Sequence, residues 1–170
     1  MVKNIILGTR CYENCKKGNT LSITGDGGNA WGYFAAAYKK LAPSWNLYVN
    51  WRDNPDNLTD IELIEYYIKE YFNHRLANLN TKELLYEFKE RFGKDIILLC
   101  HELPSLSDEM RKEHFCHRRV VADFLELENG IFIPEISVNE NNDITYLQQP
   151  DYKPLLRKLM KVVKLLRISI

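Results

Sequence analysis

Ile96-Ile97-Leu98-Leu99-Cys100 is an unbroken apolar run, set between the turn-forming Gly93-Lys94-Asp95 and a polar stretch from His101 to Phe115 that contains Pro104. A strand with one wet face alternates apolar and polar residues, because successive side chains point to opposite sides of the sheet. A run without alternation predicts burial on both faces, as in the central strand of a parallel sheet.

Working outward, Thr81 to Phe92 predicts a helix, with Asn80 at its start, Leu84, Leu85, Phe88 and Phe92 on one face and Gly93 at its end. On the other side, Val120, Val121, Phe124, Leu125 and Leu127 predict an amphipathic helix that opens at Cys116 and stops at Asn129-Gly130. Between them, 101–115 predicts a loop with one helical turn near Asp108 to Glu113. Upstream, Ile5 to Thr9 and Thr20 to Thr24 predict strands, Trp31 to Leu41 a helix stopped by Pro43, and the β-prone, alternating Asn46 to Trp51 a further strand. Thr59-Asp60-Ile61-Glu62 has capping-box spacing and predicts a helix to about Leu76. Downstream, Ile131 to Ile136 predicts a strand that lies at an edge or changes course at Pro134, and Ile144 to Leu147 part of a small hairpin. Pro154 fits the first turn of a last helix with Leu155, Leu156, Leu159, Val163 and Leu166 on one face.

Strands alternating with helices predict an α/β fold: one domain over residues 1–170, with a mostly parallel, Rossmann-like sheet of about five strands flanked by helices. The length of 170 residues suits a single core that needs no staples, and 45% hydrophobic against 27% charged residues excludes global disorder. With 23 basic and 23 acidic residues the whole molecule has no strong field for nucleic acid. Residues 151–170, however, hold six of the bases and one acid, so a basic amphipathic helix at net +5 follows a body at net −5. That helix either docks through its leucines or meets nucleic acid or another protein. No apolar run approaches the roughly 18 residues of a membrane span, and the first residues are too short a run for a secretion signal. The expectation is a cytoplasmic protein with reduced thiols.

Ligands in open parallel sheets bind beyond the carboxyl ends of the strands. Cys100 stands at such an end, with His101 and Glu102 next to it. Cys116, at a helix N-terminus beside His117 and Arg118, is where free amides and the helix dipole favour a thiolate and can hold an anion. The candidate catalytic residues are therefore Cys100, Glu102, Cys116 and His117. Arg118, with Thr9 and Arg10 at the end of the first strand, is a candidate for binding a phosphate-bearing ligand. No cofactor is required by any motif, but Cys100, Cys116 and His117 are the right donors for zinc, with His101, His114, Cys11 or Cys15 as a fourth. Gly25-Asp26-Gly27-Gly28 is turn chemistry that also suits a phosphate cradle, although it lacks the spacing of known phosphate loops.

Leu98-Leu99-Cys100-His101-Glu102, followed by Cys116-His117-Arg118 opening the apolar helix to Leu125, resembles the domain of unknown function 488 family of bacteria, archaea and their viruses. Leu41-Ala42-Pro43-Ser44 looks like a segment of its small single-domain branch, so that the resemblance runs from about Leu41 to Glu135. It places Cys100, Glu102, Cys116, His117 and Arg118 on the family's pattern positions and implies a site without implying a reaction. The loop between the thiols is longer here than the family's short spacer. The combined expectation is a pocket for a phosphate-bearing small molecule such as a nucleotide derivative, with thiol-dependent chemistry, in which Cys116 or Cys100 reacts and Glu102 or His117 moves a proton. The alternative is a binding module for nucleic acid or protein, with structural or zinc-binding cysteines.

Overall fold

The computed structural model describes residues 5–13, 17–102 and 111–168, with side chains to residue 165. Cys15 and Leu166 fall outside these bounds. The fold is mixed α/β. Strands β1 (Ile6–Cys11), β2 (Asn19–Ser22) and β3 (Ile96–Cys100) form a parallel sheet in the order β1-β3-β2. All five residues of β3 are buried, as its unbroken apolar run requires of the middle strand. A separate antiparallel hairpin is made by β4 (Ile136–Val138) and β5 (Ile144–Tyr146).

A single five-stranded Rossmann-like sheet is therefore not formed, and the reason lies at the two edges. Beside β1, Glu135 makes one parallel bridge to Thr9, and the Pro134 carbonyl accepts the Thr9 amide at 2.9 Å. Proline has no N–H to extend the ladder, so the chain leaves the edge and folds into the hairpin. Beside β2, Ala37 bridges Ser22, with Ser22 N–H donating to Ala36 and Tyr38 N–H donating to Ser22. Three-strand pairing is thus extended at each edge by one residue.

The second edge corrects the helix expected over 31–41. Only short 3₁₀ turns form, at Asn29–Trp31 and Lys39–Leu41, because Gly32 takes a left-handed φ of 66° and residues 36–38 satisfy the open backbone of β2. The strand expected at 46–51 is instead helix α1 (Trp45–Asp53): Ser44 accepts the Leu47 amide as N-cap, and the buried pair Leu47 and Trp51 lies four residues apart. Helix α2 (Asp60–Tyr71) starts at the expected Thr59/Glu62 capping box and runs on through a π-helical turn, Phe72–Leu76. Helix α3 (Thr81–Phe92) is capped by Asn80. Helix α4 (His117–Asn129) starts from Cys116 and ends at Gly130, whose left-handed φ of 63° a glycine adopts without steric cost. Of the turn expected near Asp108 to Glu113, residues 108–110 lie outside the described residues, and a 3₁₀ turn forms at Lys112–His114.

Helix α5 (Lys153–Ile168) packs on α2 and α4 with Leu156 fully buried and Leu155, Leu159 and Val163 against the core. Its leucine face is thus part of the body. Among the described residues no helix is long and apolar enough to cross a membrane.

Candidate functional site

The central strand carries Cys100 to its carboxyl end, and α4 begins over the same end, so the 16-residue separation between the thiols closes in space. Cys100 Sγ lies 3.3 Å and Cys116 Sγ 4.0 Å from His117 Nδ1. All three donor atoms fall within 4.8 Å of one another, and all three residues are buried. His117 Nε2 is 2.9 Å from the carbonyl oxygen of Ile23, just past β2. A carbonyl only accepts, so Nε2 carries a proton, and Nδ1 is the ring nitrogen that faces the thiols. The Tyr71 ring meets the imidazole edge-on at 5.6 Å and helps fix its plane.

Zinc bonds of about 2.3 Å to sulfur and about 2.05 Å to nitrogen imply tetrahedral edges of about 3.6 Å for S···N and about 3.8 Å for S···S. The observed 3.3 and 4.0 Å lie on either side of the S···N edge. The group can hold a metal ion, and a carbonyl on the far nitrogen is the usual outer partner of a ligating histidine. Among the described residues no fourth His, Cys or carboxylate joins it. His101 is turned to Asp26 and Trp31, and His114 Nδ1 is buried without a partner. Glu102 stays close, with Oε2 accepting from Cys100 Sγ at 3.5 Å.

The thiolate expected at Cys116 is corrected by burial. Desolvation pushes its thiol well above the ordinary value, the neighbouring Cys100 and Glu102 add to this, and Arg118 opposes without prevailing. Burial raises Cys100 as well. For His117, burial works to lower the pKa, but hydrogen bonding and charge from Cys116, the Ile23 carbonyl and Glu102 leave it above its ordinary value.

Arg118 turns away from the pocket. It is 1% exposed and donates through Nε and Nη2 to Glu135 at 2.8–3.2 Å, and through Nη1 to the Glu102 carbonyl at 2.7 Å. Thr9 lies in the same layer, donating to Glu135 at 2.5 Å and accepting from Arg119 at 2.8 Å. Arg10 reaches the hairpin, at Ser137 Oγ and the Val138 carbonyl. The three residues expected to hold a phosphate thus serve the framework. Burial works to raise the Glu135 carboxyl, and Arg118, Arg119 and Thr9 hold it below its usual value. Arg119 also pairs with Asp123 at 3.1 Å, and Asp123 accepts the Tyr152 amide at the start of α5.

The glycine turn is likewise filled from within. Asp26 accepts the Gly28 and Ala30 amides and the Thr24 hydroxyl, so its own carboxylate sits where a phosphate cradle would hold its ligand.

Cys100, Cys116, His117, His101 and Glu102 open on one cavity of about 870 Å³. Its walls are Trp31, Trp45, Tyr48, Trp51, Tyr67 and Phe115, with Asp26 and Arg52 toward the rim. Sequence reading missed this aromatic wall, since α1 supplies Trp45, Tyr48 and Trp51; the only signal was Ser44 in N-cap position before them. It also missed the pair of Asp26 with His101 Nε2 at 3.2 Å, to which Trp31 adds a bond to His101 Nδ1 at 2.5 Å. No family model matches the chain, and no curated protein or solved structure is significantly similar to it.

Proposed function

We propose that the cavity at the carboxyl end of β3 is the active site of a zinc-dependent enzyme acting on a small molecule, with the ion held by Cys100, Cys116 and His117. The observation that carries this reading is the convergence of two buried thiols and one imidazole, its tautomer fixed, at distances close to tetrahedral edges. Three protein donors facing a cavity match catalytic zinc sites, which keep one position open, rather than the closed four-donor sites of structural zinc. A bound zinc ion supplies a water nucleophile at neutral pH and polarises the group attacked. Glu102, beside Cys100 and in the same cavity, is the residue to carry the proton. The parallel sheet with its pocket at the strand ends is the ligand placement of Rossmann-like sheets, which supports the reading by architecture alone. The likeness to the domain of unknown function 488 family fits it in part, because four of the five pattern residues, Cys100, Glu102, Cys116 and His117, line the cavity, while Arg118 pairs with Glu135 instead.

One observation favours a second reading. Cys100 and His117 stand at nucleophile-to-base distance, with the base oriented by a third group, the Ile23 carbonyl. In that case Cys100 reacts directly and no metal is held. Native mass spectrometry with elemental analysis of the purified protein separates the two. One zinc per chain, lost in Cys116→Ser and in His117→Ala, supports the metal reading. Metal-free protein that takes up no added zinc and alkylates rapidly at Cys100 rejects it in favour of the thiol.

A further inference from the structure

Around Asp26 and His101 the polar inventory of the cavity is lopsided. The donors there are consumed internally: Trp31 Nε1–H goes to His101, the Thr24 hydroxyl to Asp26, and the His101 Nε2–H to Asp26, while the hydroxyls of Tyr48 and Tyr67 and the indole N–H groups of Trp45 and Trp51 belong to the aromatic walls. Arg52, at the rim, is paired with its neighbour Asp53 at 2.6 Å. The acceptors are not consumed to the same degree. Asp26 Oδ2 takes only the Ala30 amide among the described residues, although a carboxylate oxygen has two lone pairs, and the side chain is 34% exposed. Glu102, half-buried, accepts only from the Cys100 thiol among the described residues. A ligand entering between these carboxylates must bring donors, and an anion entering there meets like charge in a partly desolvated site.

The walls set the rest of the ligand. Among the lining residues Trp45 and Tyr48 stand 5.5 Å apart, centroid to centroid, and Trp31 stacks on Tyr12 at 6.5 Å. Such faces take a flat ring by stacking. We infer that the cavity recognises an uncharged, amino-substituted heteroaromatic ring of the adenine or cytosine kind, stacked on the Trp45/Tyr48 wall with its amino and ring N–H groups donated to Asp26 and Glu102. The inference rests on the cavity being the active site and narrows the expected nucleotide derivative to its base, with the phosphate left outside.

The test uses the protein's own fluorescence, because its only three tryptophans, Trp31, Trp45 and Trp51, all line the cavity. Adenine and cytosine are titrated against their oxo counterparts hypoxanthine and uracil, and against inorganic phosphate, with thermal melting as a second readout. The amino rings should quench the fluorescence and raise the melting temperature, with affinity roughly tenfold or more above their oxo partners, the worth of one well-made hydrogen bond to a charged acceptor. Phosphate should do neither. Asp26→Asn should erase the preference for the amino member. Since Asp26 also ties its own turn, Trp45→Ala, at an exposed position, serves as the second variant and should weaken both amino rings at least several-fold while the melting temperature of the free protein holds. Equal affinity for amino and oxo rings, phosphate binding without ring binding, or unchanged affinity in Trp45→Ala overturns the inference. Repeating the titration on chelator-treated protein keeps the two claims apart: the amino preference comes from carboxylates and persists without metal, whereas the zinc proposal fails on metal content alone.

Discussion

Cys116-His117-Arg118 is continuous in sequence but belongs to two different regions. Cys116 and His117 face the cavity with Cys100 and Glu102, whereas Arg118 joins Arg119, Glu135, Thr9 and Asp123 in a layer on the other side. Cys100, Cys116 and His117 are about as buried as the Arg118 layer. The two regions differ in partners: Arg118 faces Glu135 and Arg119 faces Asp123, charges of opposite sign, while the thiols and Nδ1 of His117 meet one another and Glu102. Burial of polar groups therefore does not mark a site here. Access to the cavity does, which Cys100, Cys116, His117 and Glu102 have and the Arg118 layer lacks.

The largest test removes one charge from the paired layer. Arg118→Ala leaves Glu135 uncompensated and should cost about 3–5 kcal/mol in urea denaturation, whereas replacing both partners by apolar residues of similar volume should cost much less. If the single and double changes cost the same, the layer is not a closed pair system. The next test is pH. Burial raises the Asp123 carboxyl from 3.8 to about 6 against the pull of Arg119 and Lys153, with Glu126 adding to the rise. Between these values the folded state binds more protons than the unfolded state, so this group's contribution to stability falls as pH rises from about 4 to 6, by up to about 3 kcal/mol. Glu135 has the opposite sign, since its lowered pKa supports the fold above the unfolded value and that support is lost as pH falls through the folded one. Asp123→Asn should flatten the first limb and leave the acid limb; a melting profile unchanged between pH 4 and 6 would break the assignment.

The cavity side should answer to metal as well. Zinc at one hundred times its dissociation constant should add about 2.7 kcal/mol to unfolding, and Cys100→Ser should abolish that gain. A gain that survives the substitution would place the ion elsewhere. The smallest effect is expected at the wall, where Trp45→Ala, 69% exposed, should change stability by less than about 0.5 kcal/mol despite its effect on ring binding.

The division also explains what could be read from the residues. The strand ending at Cys100, the caps at Thr59 and Asn80, the stop at Gly130 and the convergence of Cys100, Cys116 and His117 each have a local cause: an unbroken apolar run, a capping side chain, a left-handed glycine, a helix start over a strand end. Glu135 has no such signal as the partner of Arg118, for that pairing is fixed by the Pro134 edge beside β1. Asn46 to Trp51 misleads because β-prone residues alternate there while Leu47 and Trp51 also satisfy a helical period, and Ser44 decides between them. At 36–38 the open edge of β2 overrides the helix propensity of Ala35-Ala36-Ala37.

The first turn of α4 also acts as a staple. His117 grips the Ile23 carbonyl just past β2, and Arg118 grips the Glu102 carbonyl just past β3, so two consecutive side chains hold the exits of neighbouring strands at a fixed spacing. The segment joining Glu102 to Cys116 then has little say in where the thiols meet. Doubling its length would cost only about 0.6 kcal/mol in closure entropy. A chain built this way can lengthen that connection, and vary what it carries, without redrawing the Cys100, Cys116 and His117 cluster beneath it.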